Sequence, residues 1–224
     1  MKENRLFRTL NIFSIETSIT SIHAFMLTIY DLKPRFQNLL RPIVLKLAEK
    51  GVSANQVTWF TLLLSILCGW AIYLNHGSVW SLLLLSIVLF IRMALNAIDG
   101  MLAREHNMQT KKGAMLNEMA DVIADTAMYL PLAVSSIVSL NLIVVFVIIG
   151  IFTEMAGVVA QTINKDRRYD GPMGKSDRAF LMGLLALLLA FELISETWCA
   201  YYLAIGTLLG LVTLYKRMRN GSRE

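Results

Sequence analysis

Six long apolar stretches constrain this chain more than any other feature. They cover approximately residues 57–75, 80–103, 114–135, 141–162, 179–195 and 198–215. A helix rises about 1.5 Å per residue, so about 20 apolar residues cross the roughly 30 Å hydrocarbon core of a bilayer. Of all residues 56% are hydrophobic and only 17% are charged, which is atypical of a soluble domain. The sequence therefore predicts an all-α integral membrane protein with six transmembrane helices.

Basic residues alternate from loop to loop between these stretches. Loops 75–79, 136–141 and 192–198 contain no Lys or Arg. The other loops and the tail carry Arg104, Lys111, Lys112, Lys165, Arg167, Arg168, Lys175, Arg178, Lys216, Arg217, Arg219 and Arg223. Since basic loops stay in the cytoplasm, both termini and the loops after the second and fourth spans are predicted to be cytoplasmic. In such a protein the net charge of +5 favours membrane lipids over nucleic acid as partners.

An amphipathic helix is predicted over residues 31–51, directly before the first span. Asp31 is a suitable cap, Pro34 suits a first turn and Gly51 ends the pattern. Apolar residues recur at helical spacing at Phe36, Leu39, Leu40, Ile43, Val44 and Leu47. This pattern indicates a juxtamembrane helix lying in the cytoplasmic headgroup plane.

The chain is thus predicted to consist of four parts. An N-terminal segment, residues 1–30, has no apolar stretch long enough for a secretory signal. It is either an interfacial or disordered segment or an upstream extension before a start at Met26. The amphipathic helix over 31–51, a six-helix domain over 52–216 and a basic cytoplasmic tail over 217–224 follow.

Two columns of oxygen-bearing side chains interrupt the apolar pattern of the second and third spans. They comprise Asn96 and Asp99, followed by the small Gly100 and Ala103, and then Asn117, Asp121 and Asp125 at four-residue spacing. Residues three or four apart share a helix face. Two such faces predict a site that holds a cation, or a phosphate with its metal, between two helices.

Two further charges lie inside apolar stretches, Arg92 in the second and Glu154 in the fourth. Charges within a membrane usually pair or line a polar cavity. Arg92 is predicted to pair either with Glu154 or with a carboxylate or phosphate at the site.

The spacing of the polar columns resembles the signature of the CDP-alcohol phosphotransferase (phosphatidyltransferase) family. That pattern is Asp-x-x-Asp-Gly-x-x-Ala-Arg, eight or nine residues, then Gly-x-x-x-Asp-x-x-x-Asp. The matching positions here are Asp99, Gly100, Ala103, Arg104, Gly113 and Asp121. Asn96 and Asn117 stand where the pattern has its first and third aspartates, which is similar to a divergent bacterial inner-membrane branch. Weaker likenesses are Ser53–Thr58 at the first span and Gly174–Arg178 in a basic loop.

The resemblance implies a transferase that moves a phosphatidyl group from a CDP-alcohol, commonly CDP-diacylglycerol, to the hydroxyl of a small polar alcohol with release of CMP. It implies a Mg²⁺ or Mn²⁺ cofactor, a bacterial inner-membrane location with a cytoplasmic active site, and a homodimer. It implies that Asp121 is the catalytic base. The metal ligands that it implies are Asp99, Asp121, Asn96 and Asn117, with Asp125 a further candidate. The residues that it implies at the nucleotide and its phosphates are Gly100, Ala103, Arg104, Gly113, Lys175 and Arg178.

The two asparagines leave three alternatives open. The site works with one metal or with altered ligands including Asp125, it uses a different donor, or it has lost catalysis and binds CDP-lipid or a partner protein. A transporter using Asp99, Asp121 and Asp125 at the membrane midplane is disfavoured, because the loop charges place Asp99 near the cytoplasmic end of its span.

Overall fold

The computed structural model describes residues 29–164 and 166–223 of the chain. Within these residues it is all-helical, without strands. The elements are α1 (Ile29–Glu49), α2 (Ala54–Leu74), α3 (Val79–Glu105), α4 (Lys111–Tyr129) continuing into a 3₁₀ helix (Leu130–Val134), α5 (Leu140–Asn164), α6 (Lys175–Ala190) and α7 (Glu196–Gly221). The all-α prediction is confirmed, and the predicted N-terminal segment lies almost entirely outside the described residues.

Four of these helices are long and apolar enough to cross a membrane. They are α2, α3, α5 over Leu140–Ile163, and α7. The 16 residues of α6 span only about 24 Å. Helix α4 carries Lys111, Lys112, Glu118, Asp121 and Asp125. Membrane crossing by α4 and α6, and hence six spans in all, stays a prediction.

Local sequence accounts for the starts of α2 and α4. Ser53 and Gln56 form a capping box, in which Gln56 N donates to Ser53 Oγ at 3.3 Å and Ser53 N donates to Gln56 Oε1 at 2.8 Å. At α4 the Thr110 hydroxyl accepts from Gly113 N at 2.9 Å. Both caps satisfy amides that have no partner within the helix.

Helix α1 packs across the C-terminal half of α3 through its apolar side. Its buried Leu40 and Val44 join a small core with Ile98 and Leu102 of α3. Arg41 on its polar side forms an exposed salt bridge of 2.9 Å with Glu105 at the end of α3. Exposed ion pairs are worth up to about 1 kcal/mol, so the apolar contacts are the main attachment.

Helix α2 packs against both α3 and α4, while α3 packs against α6 and α5 against α7. The α2–α4 crossing is very close at Gly69, where a Cβ atom would lie 1.8 Å from the backbone oxygen of Ala127. Only glycine permits this approach. Because α2 contacts both helices that carry the polar columns, it fixes their relative positions.

The connection from α5 to α6 is tied to α7 through Asp170. Its carboxylate accepts from Arg168 Nε at 2.8 Å and from Asn220 Nδ2 at 3.1 Å. Burial raises the pKa of Asp170, but the hydrogen bonds from Arg168 and Asn220 outweigh it and hold the pKa below its usual value. The Asp170 carbonyl accepts from Arg217 Nε at 3.2 Å. The structure places the predicted phosphate-binding residues Lys175 and Arg178 in the first turn of α6, and the loop that leads to them is therefore anchored.

Candidate functional site

The Asp99 carboxylate is held between α3 and the start of α2. It is 6% exposed, and its Oδ2 accepts from the Thr58 hydroxyl at 3.0 Å. Thr58 also donates to the carbonyl of Ala54 at 3.1 Å, so its hydroxyl hydrogen is shared between two acceptors. Thr58 lies in the segment that weakly resembled the family, and its contact with Asp99 joins that segment to the polar columns.

Asp121, also 6% exposed, is the meeting point of three elements. Its Oδ1 accepts from Asn96 Nδ2 at 3.1 Å and from Arg92 Nη2 at 3.3 Å, both from α3. Its Oδ2 accepts from Lys175 Nζ at 2.5 Å, from the first residue of α6. The columns of α3 and α4 therefore do face each other as predicted, and Asn96 takes part as a hydrogen-bond donor.

Asp125 lies one turn deeper and is bonded on both oxygens by arginines. Arg92 Nη1 contacts its Oδ1, and Arg178 Nη2 donates to its Oδ2 at 3.0 Å. Both arginines are only 3% exposed. Of the two predicted pairings of Arg92, the structure shows the one with site carboxylates. Both oxygens of Asp125 are bonded to these arginines, so the geometry does not support Asp125 as a metal ligand.

Glu154 of α5 pairs with three arginines. It accepts from Arg178 Nη2 at 3.0 Å and from Arg167 Nη2 at 2.7 Å, and it pairs with Arg217 Nη1 at 3.4 Å. Arg167 also reaches Glu118 of α4 at 2.7 Å. The predicted Arg92–Glu154 pair is replaced by this set, and the predicted phosphate role of Arg178 conflicts with its burial between Asp125 and Glu154.

The remaining predicted residues lie near the C-terminal end of α3 and the N-terminal end of α4. A Cβ atom at Gly113 would lie 2.5 Å from Asn55 Oδ1, so the glycine allows the start of α2 to pack closely against α4. A Cβ atom at Gly100 would lie 3.0 Å from the Arg104 guanidinium, which lies over that glycine. Ala103 packs beside the α1–α3 core. Asn117 is half-buried one turn before Asp121.

Salt bridges link nine charged groups within this polar interior. They are Glu118, Asp121, Asp125 and Glu154 on one side and Arg92, Arg167, Lys175, Arg178 and Arg217 on the other. Removing one member of a buried pair leaves an uncompensated charge in a medium of low dielectric constant, so these partners stabilise the helix arrangement as a set.

The donor set near Asp99 and Asp121 suits one divalent cation better than two. Hard cations prefer several oxygen ligands, with carboxylates supplying the compensating charge. The candidate ligands here are two carboxylates and the amides of Asn96 and Asn117, and Lys175 already neutralises one of those carboxylates. Among the described residues, no three Asp, Glu, His or Cys side chains converge in a group able to hold a metal ion.

Two arginines that the sequence predicts only as loop and tail charges complete this interior. They are Arg167 and Arg217, and both pair with Glu154. Arg217 is 1% exposed and donates to the carbonyl of Thr153 at 2.6 Å. The sequence signal for these pairs is Glu154 itself, because an acidic residue within an apolar stretch requires a basic partner from another segment.

The sequence profile of the CDP-alcohol phosphatidyltransferase family matches residues 52–213, well over half of the chain. The chain belongs to this family. The match contains α2 to most of α7, and therefore every helix that contributes a carboxylate to the polar interior.

Individual relatives agree with this assignment. The chain is 46% identical to inner membrane protein YnbA of Escherichia coli over 194 residues, covering 87% of this chain and 96% of the relative. It is 28% identical to archaetidylinositol phosphate synthase of Pyrococcus horikoshii over 107 residues, covering 48% and 54% of the two chains.

Solved structures show the same fold. The phosphatidylinositol phosphate synthase of Mycobacterium tuberculosis, solved with CDP-DAG bound, matches with a TM-score of 0.68 at 16% identity, covering 80% of this chain and 92% of that one. The structure of that protein in complex with manganese and citrate gives the same TM-score over 80% and 87% of the chains.

Proposed function

We propose that this protein is a membrane transferase of phospholipid synthesis that moves a phosphatidyl group from a CDP-alcohol, with CDP-diacylglycerol as donor, to an acceptor hydroxyl and releases CMP. One observation carries the proposal. Asp121, one of the two aspartates that match the family signature, is bonded by Asn96, which lies one turn from the other signature aspartate, Asp99, on α3, and by Lys175 of α6.

The proposed reaction makes one phosphorus–oxygen bond and breaks another. The acceptor oxygen bonds to the phosphorus that carries diacylglycerol, and the bond from that phosphorus to the oxygen bridging to CMP breaks. CMP leaves with the bridging oxygen and its electron pair. The proton of the acceptor hydroxyl passes to the Asp121 carboxylate as general base.

The contacts of Asp121 indicate which oxygen takes the proton. Oδ1 faces the interior and is bonded by Arg92 and Asn96. Oδ2 faces Lys175, whose side chain is 32% exposed, whereas the Arg92 side chain at Oδ1 is 4% exposed. We therefore assign proton transfer to Oδ2, while Arg92 and Asn96 hold the carboxylate in place.

The resemblance and the donor set support a divalent cation, Mg²⁺ or Mn²⁺. Asp99, Asp121, Asn96 and Asn117 are the residues that would hold it, and when bound it would screen the pyrophosphate charge and stabilise the leaving CMP. Arg104, lying over Gly100, is the basic group we assign to the donor phosphates.

A lipid donor explains why the site belongs at a membrane surface. Two acyl chains remain in hydrocarbon while the pyrophosphate and cytidine require water. The loop charges support a bacterial inner-membrane protein with six spans and with both termini and the site in the cytoplasm. A homodimer stays a prediction from the family resemblance.

The test is CMP release by purified protein given CDP-diacylglycerol, Mg²⁺ or Mn²⁺, and a panel of polar alcohols. Asp121→Asn should lower turnover by roughly 10²–10⁴-fold, the typical contribution of a general base. Asp166→Asn, the same change at an exposed loop position, serves as the matched control. Turnover retained by Asp121→Asn would exclude Asp121 as the base.

A second candidate function is binding of CDP-lipid without catalysis. It is favoured by the contacts of Asp121, whose two oxygens are already bonded by protein groups. No CMP release with any alcohol, together with undiminished binding of CDP-diacylglycerol by the same preparation, would establish this alternative and refute the transferase.

A further inference from the structure

Lys175 is placed in a way that helix stability does not explain. It is the first residue of α6, which begins after Gly174. The N-terminus of a helix carries a partial positive charge, so a lysine there is unfavourable and an acidic residue is favoured. Asp177 meets that preference by accepting from Gly174 N at 2.9 Å. The compensating contact of Lys175 is the salt bridge to Asp121.

The asparagine at 96 matches this arrangement. Its amide nitrogen lies 3.1 Å from Asp121 Oδ1 and donates to it. An aspartate at this position would place two carboxylates together, and these would need a bridging cation to offset their repulsion. With Asn96 the pair needs none, because a neutral donor faces one oxygen of Asp121 and an ammonium faces the other.

We propose that the Lys175 ammonium occupies the position on Asp121 that a second divalent cation would take, so that the site accepts one divalent cation, beside Asp99. This inference deepens the proposed function, on which its biological meaning rests. The salt bridge between Lys175 and Asp121 supports it, because a divalent cation at this largely buried carboxylate would add two positive charges where an ammonium already supplies one.

Mn²⁺ alone, without nucleotide or alcohol, is the probe for this proposal. The full-length protein in lipid nanodiscs is titrated, and free Mn²⁺ is measured by its electron paramagnetic resonance signal. The wild type should bind no more than one Mn²⁺ per chain. Lys175→Met should lower the dissociation constant by about tenfold or more, the factor expected even in water when a unit charge about 4 Å from a divalent cation is removed.

Lys175→Arg is the matched control, because it keeps the positive charge and should bind Mn²⁺ as the wild type does. The double variant Lys175→Met with Asp121→Asn tests the location. It should lose the gain in affinity, since the carboxylate that Lys175 neutralises is gone. Lys175 is part-exposed, and Asp121 keeps its contacts with Arg92 and Asn96 when Lys175 is replaced, so the single variants are expected to fold. Elution as a single species checks the fold of all three variants.

Three results would overturn the proposal. They are two Mn²⁺ ions per wild-type chain, an unchanged or weaker affinity in Lys175→Met, and a gain that persists when Asp121 is replaced. Each result concerns metal binding only. A protein that binds CDP-lipid without releasing CMP would still show the effect, so failure of the transferase proposal and failure of this one are distinguishable.

Discussion

Replacing Asp125 with alanine should destabilise the protein strongly without requiring any metal to be involved. Its carboxylate is 7% exposed and is bonded by Arg92 and Arg178, each 3% exposed. Removing one partner of a buried ion pair costs about 3–5 kcal/mol in the free energy of unfolding. Arg92 keeps Asp121 and Arg178 keeps Glu154, so one unit of positive charge is left uncompensated.

This magnitude can be measured as a loss of thermal stability. A change of 1 kcal/mol shifts the melting temperature of a chain of this size by about 2–4 °C, so 3–5 kcal/mol corresponds to about 6–20 °C. Thermal unfolding of the purified protein in one detergent provides the measurement. Asp166→Ala is the matched control, because it makes the same chemical change at an exposed position and should stay within about 0.5 kcal/mol of the wild type.

A charge-balanced variant separates electrostatics from packing. Arg92→Met combined with Asp125→Leu removes one positive and one negative charge together, so it should be more stable than Asp125→Ala. If Asp125→Ala unfolds at the temperature of the wild type, the paired assignment is refuted. Asp125 would then return as a candidate metal ligand.

The remaining predictions concern helix packing and Asp99. Gly69→Ala should lower the free energy of unfolding by at least about 1–3 kcal/mol, because its Cβ atom would clash with the backbone oxygen of Ala127. Gly183→Ala is the control: the nearest atom to its Cβ would lie at 3.7 Å, so thermal unfolding of this variant should match the wild type. Thr58→Val should remove the hydrogen bond to buried Asp99, lower the free energy of unfolding by about 1–3 kcal/mol and reduce CMP release. Thr58→Ser keeps the hydroxyl and should retain both stability and CMP release. Equal losses in the two variants would contradict the hydrogen-bonding role.

The sequence alone was sufficient for the helices and for the polar columns. Helical periodicity and span length depend on neighbouring residues, so α2, α3, α5 and α7 begin and end within a few residues of their predicted positions, except at the tail, where α7 continues to Gly221. The spacing of Asp99 and Asp121 led to the family, and the family match and the relatives confirm it. The extent of α6 was less predictable, because the charged residues of its first turn resemble a loop; the predicted span of 179–195 is shifted from the observed helix Lys175–Ala190.

Only the tertiary structure decided which charges meet. Arg92 and Asp125 are 33 positions apart, and Lys175 and Asp121 are 54 apart, so no local pattern links them. The partner of each charge depends on how α3 and α4 are positioned against α2. The close approach of α2 to α4 at Gly69 contributes to that positioning. The sequence could therefore name the site carboxylates, but the fold determined that Asp125 serves two arginines and that Asp121 faces a lysine.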